Sequence, residues 1–274
     1  IVKNELGIGL EGVTLNFSNA GGSYQSDENG TFFTSLNNGW SGFVTPVKNG
    51  FSFQPATLEI SSLNTDSVGH AFQGIRSVVQ YVDSDATGNG DGTSWIDAYT
   101  DLSEALLAKD SFDEVWVAQG TYLPGDIRPS SFVIPPNVEV YGGFQGSETS
   151  RTERDPKSNL TILSGDIGVQ GDNSDNSYHV IIPSNGSVLD GFIVRDGNAN
   201  QNYNNDDRGK GAGLWADGSN FSVHDCNFSF NSSYQGGAGV YLIDTNVSFV
   251  DCTFYLNTTG VTGSGAAAYF EDSN

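Results

Sequence analysis

Three aspartates, Asp190, Asp225 and Asp251, each follow a short apolar segment in the second half of the chain, where they could act as catalytic carboxylates. A glycoside hydrolase needs two carboxyl groups, one acting as acid and the other as base or nucleophile. A polysaccharide lyase needs a basic residue that removes a proton and a group that neutralises a uronate. The basic residues nearest in sequence are Arg195, Arg208 and Lys210. The alternative is a solvated face, because adjacent carboxylates in register repel each other.

Oxygen ligands are concentrated in a glycine-rich segment at residues 83–92. Asp83, Asp85, Asn89 and Asp91 supply the hard ligands that calcium prefers. The segment does not match an EF-hand loop, because the bidentate glutamate that ends such a loop is missing. Two interpretations therefore stay open: a calcium site, or a solvated acidic turn that precedes a helix.

No other common catalytic or cofactor motif occurs in the sequence. The three histidines lie in different segments, and no pair of them has the spacing of zinc ligands. A G-x-S-x-G elbow, a phosphate-binding P-loop and a dinucleotide-binding fingerprint are all missing. Calcium is therefore the one cofactor that the sequence suggests.

The chain is strongly acidic, with 33 Asp and Glu residues against 11 Lys and Arg residues and a net charge of -22. Such a charge repels nucleic acids and anionic membrane surfaces. No run of 18 apolar residues that could span a bilayer occurs in the sequence. We therefore expect neither a nucleic-acid partner nor membrane insertion by this segment.

The 35 glycines and the many short apolar segments predict an all-β chain, with residues 1–75 as its first domain. In this domain, segments such as GVTLNFS, GTFFTSL and ATLEISSL alternate with turns rich in glycine and asparagine, as in an antiparallel β-sandwich. The segments GVTLNFSN, SDENGTFFTSL and NNGWSGFVTPVKNGFSFQPA resemble immunoglobulin-like or carboxypeptidase-regulatory-like modules of bacterial surface proteins. That resemblance implies a spacer module. We interpret Trp40 as a core aromatic, with a platform for a sugar as the alternative.

Residues 76–274 form the predicted second domain, which begins with one helical pattern. Ala98, Leu102, Ala105 and Leu106 fall on one helical face, and Asp97 is a candidate N-terminal cap. The apolar segments that follow are too short for helices and lack the intervening helices of α/β folds. A stack of β-coils remains, and the helix would cover its first, otherwise open, end.

An internal repeat supports this stack of coils. Gly211-Ala-Gly-Leu-Trp is followed 26 residues later by Gly237-Ala-Gly-Val-Tyr, and then 28 residues later by Gly265-Ala-Ala-Ala-Tyr. If one repeat forms one coil, matching residues become neighbours about 4.8 Å apart. The predicted rows of neighbours are Cys226 with Cys252, Phe228 with Phe254, and Asn231 with Asn257. We favour stacked free thiols over a disulfide for the cysteines.

Residues 81–274 resemble the right-handed parallel β-helix proteins of the pectate-lyase-like superfamily, through YVDSDATGNGDGTSW, VWVAQGTY, YGGFQGSETSRTERD, TILSGDI and VLDGFIV. The GGAG and Phe-x-x-Asn repeats are similar to those of polymorphic outer-membrane adhesins. The resemblance implies a secreted or surface-attached bacterial protein, and many members of these families have no demonstrated activity. The fold class expected is therefore a β-sandwich followed by a right-handed parallel β-helix with a short capping α-helix.

The function expected from these observations is that of a non-enzymatic extracellular protein, a rigid stalk or adhesin. Its partners would be a glycan, a cell-surface ligand or further modules of the same chain. Two alternatives stay open. One is a polysaccharide lyase or glycoside hydrolase that acts on the flank of the coils. The other is a filament-forming subunit, because we expect the β-helix to be truncated at residue 274 and to lack a C-terminal cap.

Overall fold

The computed structural model describes residues 1–4, 6–48, 51–65, 69–76, 79–108, 114–202, 207–260 and 263–273. The chain divides into two compact units, Ile1–Val78 and Val79–Asn274. Almost all of its regular structure is strand, so the predicted all-β class is confirmed. None of the helices within the described ranges has the length and apolarity needed to cross a bilayer.

The first unit contains two sheets. Its strands are β1 (Val2–Asn4), β2 (Thr14–Phe17), β3 (Gly22–Gln25), β4 (Trp40–Val47), β5 (Phe51–Gln54), β6 (Leu58–Leu63) and β7 (Phe72–Arg76). One sheet is antiparallel, with the order β3-β2-β4-β6. The other has the order β1-β7-β5, in which β1 and β7 are parallel and β5 and β7 are antiparallel.

The two sheets of the first unit share one hydrophobic core. Alternate residues of β4 are buried, as expected when one face of a strand is turned to the core. Phe17 lies at the centre of the core, with its ring 5.6 Å from Tyr24 and 5.9 Å from Trp40. Val2 of β1 and Phe72 of β7 contribute from the second sheet. Trp40 is therefore a core residue, and its ring offers no open face to a sugar.

The second unit consists mainly of four parallel sheets, here called sheets I to IV. Sheet I contains β8 (Val79–Val82), β9 (Glu114–Ala118), β12 (Glu139–Phe144), β15 (Val188–Asp190), β19 (Phe221–His224) and β23 (Val247–Val250). Sheet II contains β10 (Gly120–Tyr122), β13 (Thr161–Ser164), β16 (Phe192–Arg195), β20 (Asn227–Ser229) and β24 (Thr253–Tyr255). Sheet III contains β11 (Phe132–Val133), β14 (Ile181–Ile182), β18 (Leu214–Asp217), β22 (Val240–Ile243) and β26 (Ala268–Glu271). The short sheet IV contains β17 (Asn198–Ala199), β21 (Ser232–Ser233) and β25 (Thr258–Thr259).

The chain visits these sheets in a fixed cyclic order. It passes from sheet I to sheet II to sheet III and back to sheet I, and the later passes also add a strand to sheet IV before sheet III. Each pass pairs in parallel with the one before it, so that Ile193 pairs with Asn227 and Asn227 with Thr253. This topology is compatible with a β-helix-like fold.

One α-helix, α1 (Leu102–Leu107), packs against β8 and β11, the first strands of sheets I and III. Its buried residues are Leu102, Ala105 and Leu106. The helix begins later than the pattern predicted, because Asp101 rather than Asp97 caps it and accepts a hydrogen bond of 2.6 Å from the Ser103 amide. The Asp97 carboxylate instead accepts bonds from the Asn89 amide and the Ser94 hydroxyl. Two 3-10 helices, Arg151–Glu153 and Asp207–Gly209, lie in loops.

Candidate functional site

Phe228 and Phe254 form a row in the interior of the second unit. They are paired in the register of β20 and β24, and their rings are stacked with centroids 5.2 Å apart and planes 13° apart. Phe228 is fully buried. The row therefore joins two consecutive turns through side-chain packing as well as through the backbone.

Asn231 and Asn257 form a second row, at the end of sheet II. The Asn231 side chain donates to Asn257 Oδ1 at 3.0 Å and to the Val194 carbonyl at 3.1 Å, and its Oδ1 accepts from the Gly197 amide at 3.0 Å. The Asn257 side chain donates to the Phe228 carbonyl at 2.7 Å. Asn231 is fully buried, so these bonds satisfy backbone groups that no water reaches.

Cys226 and Cys252 occupy equivalent places on consecutive turns and are both free thiols. The Cys226 thiol is 3.8 Å from the Leu189 carbonyl, and the Cys252 thiol is 3.5 Å from the Val223 carbonyl. Leu189 and Val223 are themselves neighbours in sheet I. Burial raises the pKa of both thiols above the ordinary value, which leaves little reactive thiolate at neutral pH.

The bend between sheets I and II places the three candidate aspartates in two different rows. Asp190 pairs with His224 at the end of β15. The next position along the chain forms the bend, and it holds Gly191, Asp225 and Asp251 with φ angles of 87°, 46° and 54°. Asp225 and Asp251 are therefore stacked neighbours, whereas Asp190 lies one residue before the equivalent position. The three aspartates therefore do not lie in one row.

Asp190 belongs to a largely buried ion pair. Its carboxylate is 2.8 Å from the guanidinium of Arg154, and the two side chains are 13% and 14% exposed. Arg154 also donates to the Gly142 carbonyl at 3.1 Å and lies over the ring of Tyr141. This pair fastens the loop between β12 and β13 to the bend, so the role that the geometry gives Asp190 is positional.

A groove of about 520 Å³ runs along this bend. Its lining includes Arg154 and Lys157 from the loop and Asp225 and Asp251 from the bend. Leu160 adds an exposed apolar surface. A concave surface of this size that combines apolar and charged groups is the candidate ligand site of the second unit.

The cations of this groove were missed in the sequence, because they lie in a loop far from the aspartates. The basic residues that lie nearest to the aspartates in sequence have other partners. Arg195 pairs with Asp196, and Lys210 lies 4.9 Å from the ring of Tyr241. The guanidinium of Arg208 lies 5.5 Å from the ring of Tyr178. One usable signal was the glycine at the bend. A Cβ atom on Gly191 would lie 2.7 Å from Arg154 Nη1, so glycine allows the loop to approach.

The acidic loop at residues 83–92 does not gather its ligands at one point. Asp83 Oδ1 accepts from the Asp85 amide, and Asp91 Oδ1 accepts from the amide and hydroxyl of Thr93. The bonds from Thr93 hold the pKa of Asp91 below its ordinary value. Across the described ranges, no group of three or more His, Cys, Asp or Glu residues could hold a metal ion. Calcium binding at these four residues stays a prediction.

The comparisons with known proteins add no relative from which a role could be transferred to the groove. No protein-family model matches the chain, and neither a curated protein nor a solved structure is significantly similar to it.

Proposed function

We propose that the second unit is part of a right-handed parallel β-helix that serves as a stiff, non-enzymatic stalk or adhesin of a bacterial surface protein. The first unit would be an immunoglobulin-like or similar spacer module. In this proposal the protein is extracellular, and the flank and loops of the coils are displayed to a glycan or another surface partner.

The observation that carries the proposal is the continuity of the rows. From β9 onward each pass of the chain adds one strand to sheets I, II and III, and side chains of the same type stack on consecutive turns, as Phe228 on Phe254 and Asn231 on Asn257 do. An array in which each turn is bonded to the next along its whole length resists bending. Stiffness of this kind suits a spacer that holds a binding surface away from a cell.

Two other observations agree with a surface role. The net charge of -22 keeps the chain soluble and disfavours nucleic acids. Cys226 is buried and Cys252 is half-buried, and burial raises the pKa of both thiols. They therefore have little of the thiolate character that nucleophilic catalysis requires.

The test is a screen of neutral and acidic polysaccharides with the whole chain. We expect saturable binding to some glycans on an array, without new reducing ends or unsaturated ends in solution. Turnover of any polysaccharide that is lost in Asp225→Asn or Asp251→Asn would contradict the proposal.

A second candidate function, a carbohydrate-active enzyme, is favoured by one observation. Asp225 and Asp251 line the same groove as Arg154 and Lys157, which brings carboxylates and cations to one surface. Paired carboxylates serve glycoside hydrolysis, and a cation can neutralise a uronate. The same screen separates the two functions, because only the enzyme generates new chain ends.

A further inference from the structure

We infer that Cys226 and Cys252 form a site of oxidative modification, at which a peroxide joins them in a disulfide between two consecutive turns. Both are free thiols in the structure, which is the reduced form of the pair. The chain contains these two cysteines and no others. The inference concerns the interior of the second unit, and it depends neither on the partner nor on the location proposed above.

The first step is the position of the two residues. Asn227 and Thr253 are paired in register on β20 and β24, and Cys226 and Cys252 stand directly before them. The Thr253 amide donates to the Cys226 carbonyl at 2.9 Å, which joins the two backbones at this point. Neighbouring strands lie about 4.8 Å apart, and the Cα atoms of bonded cysteines lie about 4.4–6.8 Å apart. The backbones therefore stand at a distance that a disulfide can span.

The second step is the direction of the side chains. Successive side chains of a strand alternate between its two faces, so Cys226 shares a face with Phe228, and Cys252 shares one with Phe254. Burial follows the same alternation, because Asn227 is more exposed than Cys226 and Phe228. The two phenyl rings are stacked 5.2 Å apart in the interior. The two thiols therefore point into the same interior, one above the other.

The third step is the contact of the thiols. The Cys252 thiol is 3.5 Å from the carbonyl of Val223, which belongs to the turn that carries Cys226. Burial raises the pKa of Cys226, and the charge of Cys252 raises it further, as expected for neighbouring sulfurs. The Cys226 thiol lies 3.8 Å from the Leu189 carbonyl of the preceding turn, which is a weak contact. Rotation about its Cα–Cβ bond breaks that contact and turns the sulfur toward Cys252.

The fourth step is the reaction. Cys226 is buried and Cys252 is half-buried, so a small oxidant meets Cys252 first. The Cys252 thiolate attacks one oxygen of hydrogen peroxide, the O–O bond breaks, and a sulfenic acid and hydroxide form. The Cys226 thiol loses its proton and its sulfur attacks the Cys252 sulfur, so that the S–O bond breaks and a second hydroxide leaves. The two thiol protons convert both hydroxides to water. Two electrons pass from the thiols to one peroxide.

The bond would change how firmly the turns are held together. It closes a loop of one whole turn, since the two cysteines are 26 residues apart. Closing a loop restricts the unfolded chain and so favours the folded one. The oxidised second unit should therefore unfold at a higher urea concentration than the reduced unit.

The experiment is treatment of the whole folded chain with hydrogen peroxide, followed by alkylation of the remaining thiols and peptide mass mapping without reduction. We expect an intramolecular disulfide between the peptides that contain Cys226 and Cys252, and dithiothreitol should reverse it. Burial raises the pKa of Cys252, so its thiolate is scarce at neutral pH. The rate should therefore rise about tenfold between about pH 7 and about pH 8.

The variants test the order of events, with circular dichroism as the check of folding. In Cys252→Ala, the buried Cys226 should stay reduced under the same treatment. In Cys226→Ala, Cys252 should react and continue to the sulfinic acid, because no second thiol intercepts it. The matched control is the double variant Cys252→Ala with Thr253→Cys, which moves the second thiol by one residue to the exposed face. That thiol should be oxidised without bonding to Cys226.

Three results would overturn the inference. In the first, the unchanged chain keeps both thiols or only gains oxygen. In the second, disulfides form between two chains and not within one. In the third, the double variant gives as much intramolecular bond as the unchanged chain, which would show that the native position of Cys252 is not what directs the reaction. All three leave the stalk proposal standing, since its test is glycan binding without turnover.

Discussion

The two units of the chain bury their apolar residues in different ways. In the first unit, one cluster around Phe17 forms the core, and β2 and β3 pair through a short turn, as Phe17 and Gly22 show. In the second unit, partners lie a whole turn apart, as Phe228 and Phe254 do, and every turn adds residues to the same rows. A substitution in the core of the first unit should therefore disturb the packing of one cluster. A substitution in the core of the second unit should disturb the packing of the neighbouring turns as well.

The units also differ in their buried polar side chains. Within the described part of the first unit, Ser26 is the one buried polar residue, and its hydroxyl joins the Val13 amide to the Leu10 carbonyl. The second unit buries many, among them Asn231. Turns between parallel strands leave backbone groups without partners, and side-chain amides on successive turns satisfy them. The coils thus need polar residues inside, where the first unit needs almost none.

The largest effect is expected from Phe228→Ala. It removes a fully buried ring from the row with Phe254 and should lower the free energy of unfolding of the second unit by about 3–5 kcal/mol. Hydrogen exchange resolved to individual peptides should show faster exchange on both adjacent turns and no change in residues 1–76.

The control for this variant is Phe230→Ala, two residues further along the chain. Phe230 is 47% exposed and contacts Tyr255 at the surface, so its loss should cost less than about 1 kcal/mol. Equal losses in the two variants would contradict the assignment of the row to the core.

Asn231→Ala should have the next largest effect. It removes the acceptor of the buried Gly197 amide and a donor to the Val194 carbonyl, at a cost of about 2–4 kcal/mol to the second unit. Urea unfolding measures the loss, and the Gly197 amide should exchange faster. Asn257→Ala is the comparison, because Asn257 is only half-buried, and it should cost less. A larger loss of stability in Asn257→Ala than in Asn231→Ala would contradict the prediction that the buried asparagine contributes more.

Ser26→Ala tests the same kind of bond in the first unit. It removes the acceptor of the buried Val13 amide and the donor to the half-buried Leu10 carbonyl, which should cost about 1–3 kcal/mol. Faster exchange should be confined to the first unit. Ser23→Ala serves as the control, since that exposed hydroxyl bonds only the Asn16 side chain and its loss should be almost neutral.

The smallest effect is expected from Asp101→Ala, at the start of α1. Loss of the cap to the Ser103 amide should cost about 1 kcal/mol. Exchange of the amides of residues 102–108 should become faster. Asp97→Ala should leave these amides unchanged and loosen the loop that holds Asn89 instead. If Asp97→Ala, and not Asp101→Ala, made the amides of residues 102–108 exchange faster, Asp97 would be the cap, as the sequence pattern predicted.

Part of the candidate site could be predicted because two consecutive repeats keep the same spacing over residues 226–257. Cys226, Phe228 and Asn231 are each followed 26 residues later by the same residue type, and the structure places these pairs on consecutive turns. The buried face of α1, formed by Leu102, Ala105 and Leu106, could also be predicted from the sequence. The residue that caps the helix could not. Asp97 and Asp101 are both plausible caps by residue type, and the choice depends on where the chain leaves the preceding loop.

Residue types and their spacing therefore suffice to predict the strand-rich class, the 26-residue spacing of two consecutive turns and the rows of like side chains inside them. The three-dimensional structure was needed to show that Asp190 is one position out of line, and that Arg154 and Lys157 line the same groove as Asp225 and Asp251. The physical reason is that the register between strands is set by backbone pairing and buried side chains. Loops of any length can be inserted between the strands without changing that register, so spacing along the chain does not tell which loop residue reaches which bend.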